Sequence, residues 1–179
     1  MSSYYVYLLS SLPVLHFNGN VPFSYDALCA ACEGKVSGAD LMIIRELPTL
    51  LRYPRMHPDP ALRLWCAFEQ DMRNELARER SRRLHLDPAR YLREDRYVGL
   101  DVSHAASHAY KIPGILDAER YLDQVRWAKL DELSRGHFFD RAAMFYYALK
   151  LLLLLRWQSI SSADAEGQLD TALAGIKNN

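Results

Sequence analysis

The sequence predicts an all-α protein: one compact helical domain over residues 1–179, with an apolar helix near the C-terminus at its centre. Three observations lead to that class. Apolar residues recur at spacings of three and four in several long windows, as on one face of a helix. Capping pairs such as Asp59-Pro60 and Asp87-Pro88 open those windows, an aspartate followed by proline where a helix needs no N–H. Strand signal is confined to two short runs, Tyr4–Leu9 and Leu41–Ile44.

Taken in order, the Tyr4–Leu9 run fits a strand or a helix. Ser24 or Asp26 caps a short helix that Gly34 stops. "SGADLMIIREL" reads as a short element, helix or strand, ending before Pro48. The proline-studded "PTLLRYPRMHPDP" reads as a connection, because proline supplies no N–H to a helix interior. It allows two sub-lobes, 1–58 and 59–179. From Ala61 to Leu84 runs a long helix with Trp65, Phe68, Met72 and Leu76 in one stripe. Burying each of those side chains contributes roughly 1.5–3 kcal/mol, enough to dock the helix on a core. Asp87-Pro88 opens a short helix to about Arg93, and "VGLDVSHAASHAYKIPG" is a bridge with a short helical centre. Another helix begins near Asp117, with Tyr121, Leu122, Val125, Leu130 and Leu133 as its apolar set and Gly136 at its end. Asp140 caps the apolar helix, and a last helix starts near Ser162.

The apolar run "AAMFYYALKLLLLL" covers fourteen positions, Lys150 among them. A membrane span needs about 20 predominantly apolar residues, so the run reads as a core helix. On a helical wheel Lys150 shares a marginal face with Ala143, Tyr146, Tyr147, Leu154 and Trp157. Phe145, Ala148, Leu152 and Leu155 fall opposite, on the expected core face.

Half of the residues are apolar and the 22 basic side chains balance 22 acidic ones, so no global charge favours nucleic acid or an anionic membrane. Three cysteines are too few for a disulfide scaffold and suit a reducing compartment. No basic residue precedes the first apolar run, as a secretory signal would require, so the expected location is the cytoplasm.

The motifs that carry chemistry are sparse. Cys29-Ala-Ala-Cys32 falls toward the end of its helix, away from the N-terminus that would activate a thiol, and reads as packing. His104 and His108 stand at i and i+4, a spacing that can hold a metal, but Ala105 replaces the glutamate of the metalloprotease motif. No phosphate loop or nucleophile elbow occurs. Glu69, Asp71, Glu75 and Glu79 alternate with arginines as solvent-facing ion pairs would, Glu79 with Arg83 for example. From Arg73 to Arg96, eight arginines stand against five carboxylates, a local excess without an aromatic platform for bases.

Three stretches carry a family resemblance. "YYVYLLSSLPVLHF" with "PFSYDAL" resembles the opening of a bacterial family of uncharacterised proteins found with V-type ATPase operons. That family is itself similar to the C (or d) subunit of V-type and A-type rotary ATPases. "DMRNELARERSRRLHLD" resembles the helix in both that bears an acidic residue, Arg-Asn and a run ending in arginines, here Asp71, Arg73, Asn74, Arg80 and Arg83. The segment from Glu119 to Trp157 fits the bacterial family's C-terminal pattern through Arg126, Trp127, Asp131, His137, Lys150 and Arg156-Trp157.

The resemblance implies a non-catalytic, helical accessory or connector subunit, or an assembly factor, of a bacterial rotary ATPase. It implies no cofactor, no enzymatic activity of the chain's own, other ATPase subunits as partners, and contact with the inner membrane only through them. The residues leave two other readings open: a small metal-dependent hydrolase using His104 and His108, and a nucleic-acid-binding domain using Arg73–Arg96.

Overall fold

A computed structural model of the chain describes residues 4–93 and 100–177, with side chains described up to residue 163. Seven α-helices account for most of the described residues: α1 (Val6–Ser11), α2 (Tyr25–Cys32), α3 (Gly38–Arg52), α4 (Pro60–Leu84), α5 (Leu100–Ala109), α6 (Ile115–Leu133) and α7 (Arg141–Lys177). No named strand occurs among them. The nearest thing is an isolated antiparallel bridge from Tyr4 to Asp140, with the Tyr5 N–H donating to the Phe139 carbonyl at 2.5 Å. Of the two runs that carried strand signal, Leu41–Ile44 is wholly helical, and Tyr4–Leu9 is helical from Val6, with Tyr4 in the bridge. Their apolar clusters pack as helix faces, Leu8 from α1 and Ile44 and Leu47 from α3.

The helix starts follow the capping chemistry. Ser24 Oγ accepts from the Ala27 N–H, Ser37 Oγ from Asp40, Asp59 Oδ1 from Ala61 and Asp140 Oδ1 from Ala143. Gly34 and Gly136 take positive φ after α2 and α6, where a side chain would be strained.

Three boundaries differ from expectation. Helix α3 runs through Pro48 to Arg52, so the connection begins at Tyr53. Pro48 cannot donate to the carbonyl four residues earlier, Ile44. The Tyr25 hydroxyl donates to that carbonyl instead, at 2.6 Å, and supplies the missing bond. The turn after Asp87 is a single 3-10 turn, Pro88–Arg90, shorter than expected. No break separates the apolar helix from a last one: α7 is continuous from Arg141 to Lys177.

Helix α7 packs against α2, α3, α4 and α6, and α4 also packs against α5 and α6. One hydrophobic cluster extends from Tyr5 to Leu154 and includes Trp65, Met72, Leu122, Leu130, Phe145 and Leu151. The Trp65–Phe68–Met72 stripe is buried and Leu76 packs at its edge. Among the described residues no helix is long and apolar enough to cross a membrane.

The wheel assignment of α7 is half wrong. Lys150 is marginal as expected, and Phe145 and Ala148 are buried. Tyr146 and Leu154, however, are buried, whereas Leu152 and Leu155 are only half-buried. A wheel presumes one burying side, but α7 packs against four helices. The face they leave open carries Leu152 and Leu155.

Candidate functional site

Glu69 lies at the fourth step of the α4 stripe, between Phe68 and Met72, and is fully buried. A carboxylate there must meet a cation or hydrogen bonds to offset its lost hydration. Helix α6 supplies the cation: Arg126 Nε donates to Glu69 Oε1 at 2.6 Å, and its Nη1 to Asp123 Oδ1 at 2.8 Å. Asp123, fully buried one turn back, also accepts from Arg156 Nη1 and, at 2.9 Å, from Trp157 Nε1, both on α7. Arg156 reaches on to Glu119 at 2.6 Å. Three helices are thus joined by one charge network. Burial alone would pull the Arg126 guanidinium down, but Glu69 and Asp123 outweigh it and its pKa moves up, which fixes its charge.

Glu69 and Glu75 were expected to face solvent. Both are buried, because position 69 falls inside the apolar stripe and Glu75 packs with its partner Arg78. Glu79 pairs with Arg82 at 2.8 Å, not with Arg83. Arg83 lies over the Tyr110 ring at 4.6 Å and donates to the Tyr110 carbonyl, which ties α4 to the end of α5.

The network forms the floor of a cleft of about 710 Å³ between α3, α4, α6 and α7. Pro48 and Leu51 of α3 form one wall, and Leu152, Leu155 and Ile160 of α7 the other. Arg73 enters from α4 and donates to the Leu51 carbonyl at 3.1 Å, at the C-terminal turn of α3. Its Nε faces Glu69 Oε2 at 3.8 Å, too far for a hydrogen bond. Both atoms are buried and neither has a hydrogen-bond partner among the described residues. Burial lowers the Arg73 pKa despite the neighbouring Glu69.

The residues named by the resemblance are distributed as follows. Trp127, Asp131 and Lys150 meet on one side of the α6–α7 pair: Lys150 Nζ pairs with Asp131 at 2.6 Å and lies 5.5 Å from the Trp127 ring, which also packs on Phe17. Arg126, Arg156 and Trp157 meet on Asp123. Asn74 is buried and mimics a peptide group, its amide donating to the Arg93 carbonyl at 2.7 Å and accepting from the Arg93 N–H at 3.0 Å. His137 Nδ1 sits 2.5 Å from Asp140, the cap of α7. Asp71 is half-buried on α4 near Pro54 and Arg55, and Arg80 is exposed.

His104 and His108 are exposed on α5, and His108 packs on Tyr121 with ring centres 4.7 Å apart. Among the described residues no group of three or more His, Cys, Asp or Glu side chains could hold a metal ion. The arginines of the Arg73–Arg96 stretch do not converge on one face: Arg73 turns into the cleft, Arg82 to Glu79 and Arg83 to Tyr110. Residues 94–96 lie outside the described residues. The thiols are packing groups: burial raises all three pKa values, Cys32 and Cys66 to about 11.

Comparison with protein-family models, with curated proteins and with solved structures finds no match to this chain.

Sequence reasoning missed Glu69, Asp123 and the cleft. The signal for Glu69 was legible: Trp65, Phe68, Glu69 and Met72 follow i, i+3, i+4, i+7, so a carboxylate stands where the stripe is buried. Glu119, Asp123 and Arg126 share one α6 face by the same spacing.

Proposed function

We propose that this chain is a non-catalytic accessory or connector subunit, or an assembly factor, of a bacterial V-type or A-type rotary ATPase. It acts through protein contacts and leaves ATP chemistry to other subunits. Its contact with the membrane is indirect, through those partners. The sequence resemblance suggests the complex. The observation that carries the connector reading is the engagement of the motif residues with one another. Arg126, Arg156 and Trp157 converge on Asp123, and Lys150 joins Asp131 beside Trp127. Side chains spent on holding three helices in a fixed relation suit a rigid body that works by shape. A catalytic acid or base would instead need reach to a substrate.

The test is co-purification. A tagged chain, expressed in cells that make a V-type ATPase, is expected to be retained with the detergent-solubilised complex. Recovery of the tagged chain alone from such cells would overturn the proposal.

A further inference from the structure

Another cavity, of about 340 Å³, lies between the loop that joins α1 to α2 and the helices α6 and α7, and its size suits a small ligand. In that loop Asn18 takes a positive φ of 65°, in a turn closed by the Gly19 N–H on the His16 carbonyl at 2.9 Å. Its Oδ1 accepts from Arg120 Nε at 3.1 Å and from Arg120 Nη2 at 2.9 Å. The guanidinium also lies 5.4 Å from the centre of the Trp157 ring, which is itself held by its bond to Asp123. An arginine at the surface is ordinarily free to move, and this one is fixed along one edge and against one ring.

Its charge is not met within the chain. The acids near it on α6 are engaged elsewhere: Asp117 lies against Gly114, Glu119 pairs with Arg156, and Asp123 accepts from Arg126, Arg156 and Trp157. Among the described residues no carboxylate stands within ion-pair distance of Arg120, and it is the only charged residue that lines the cavity. Asn18 occupies the Nε–Nη2 edge, so the Nη1–Nη2 edge keeps two parallel N–H groups, the fork that fits two oxygens of one anion. One uncompensated cation matches a monoanion. A phosphate monoester, at about −1.5 to −2 near neutral pH, would bring more charge than one guanidinium offsets.

We propose that this cavity binds a small monocarboxylate. The two carboxylate oxygens accept from the Nη1–Nη2 edge of Arg120, and the apolar body of the ligand lies against Phe17, Val21 and Leu154. A ligand so held joins the α1–α2 loop to α6 and α7. The inference goes beyond the connector reading and does not depend on it.

The experiment titrates the full, isotope-labelled chain by NMR with benzoate and with isovalerate at millimolar concentration. Benzamide and isovaleramide, of the same shape but uncharged, are the matched controls, and inorganic phosphate is the competing anion. The expected result is a saturable shift of the Gly19, Asn20 and Gln158 signals with at least one of the acids and not with its amide. Arg120→Gln is expected to weaken that binding about tenfold or more, for the loss of a hydrogen bond to a charged group. This variant also removes the tie to the loop, so Asn18→Asp is the second one. Aspartate tolerates the positive φ and keeps an acceptor oxygen for Arg120, but it supplies the missing negative charge. Binding is expected to fall about tenfold or more in Asn18→Asp as well, with the melting temperature kept or raised. Arg135→Gln, exposed beyond the C-terminal end of α6, is the control that should bind as the unaltered chain does. The inference is overturned if neither acid gives a saturable shift, or if acid and amide shift the same signals alike. It is overturned equally if either variant at the cavity binds the acid as well as the unaltered chain, or if phosphate shifts those signals as strongly as the acids do.

Discussion

The leucine-rich helix α7 spends its two described halves in different company. From Ala142 to Leu151 it lies mainly in the hydrophobic cluster, with Met144, Phe145, Ala148, Leu149 and Leu151 buried and Lys150 at the margin paired with Asp131 of α6. From Leu152 to Ile160 one face opens on a cleft whose floor is ionic, and Arg156 and Trp157 reach Asp123. The first half is held by packing, which is non-directional and additive in area. The second is held by hydrogen-bonded charges, which stabilise only when every partner is present. The two halves should therefore fail differently when altered.

The largest effect is expected at the ionic end. Arg126→Met leaves Glu69 and Asp123 buried with one partner fewer, and should cost about 3–5 kcal/mol in urea denaturation. The double change Glu69→Met with Arg126→Met removes both ends of the closest pair, while Asp123 keeps Arg156 and Trp157. It should be less destabilising than Arg126→Met alone. A double variant worse than the single one would mean that the pair contributes net stability, and that charge does not simply fix geometry here.

Within the leucine run itself the contrast narrows to neighbouring positions. Leu154→Ala removes a buried side chain and is expected to cost about 2–5 kcal/mol. Leu152→Ala, on the half-buried cleft wall, should cost nearer ~1 kcal/mol, since less apolar area returns to water. Thermal melts of the two variants side by side decide the matter. Equal losses would put Leu152 in the core and close the cleft.

That pair also marks how far the sequence could be read. The all-α class was legible because caps and periodicity are local: Asp59-Pro60, Asp140 and the Trp65–Met72 stripe all describe what they form. The extent of α3 was not legible, since the group that replaces Pro48's missing N–H is Tyr25, distant in the chain. The faces of α7 were legible only in part, because a wheel ranks residues by periodicity while burial depends on how many helices surround them. The cleft lay furthest out of reach. It requires α3, α4, α6 and α7 together, and no window of sequence contains their relation. The charge network stood between these extremes: Glu69 inside an apolar stripe was a visible anomaly, but its partner Arg126 lies 57 residues away.

The smallest expected effect sharpens the comparison at the start of α7, where the packed half meets its cap. Asp140 accepts from the Ala143 N–H at 2.9 Å and sits 2.5 Å from His137 Nδ1. Burial would push its carboxyl up, but His137 and the Ala143 N–H outweigh that and hold it below the ordinary carboxylate range. A depressed native pKa means the folded state holds the proton less tightly than the unfolded chain. The contribution is complete above the unfolded value of about 4 and is lost as pH falls through the lower native value. Asp140→Ala should cost about 1 kcal/mol at neutral pH, as for other lost N-caps. Asp140→Asn keeps a capping oxygen and should cost less, while removing this residue's share of the acid sensitivity. Urea midpoints of both variants at pH 7 and pH 3 measure the two effects separately. An asparagine variant as acid-sensitive as the parent would show that Asp140 is not the source of the low-pH loss.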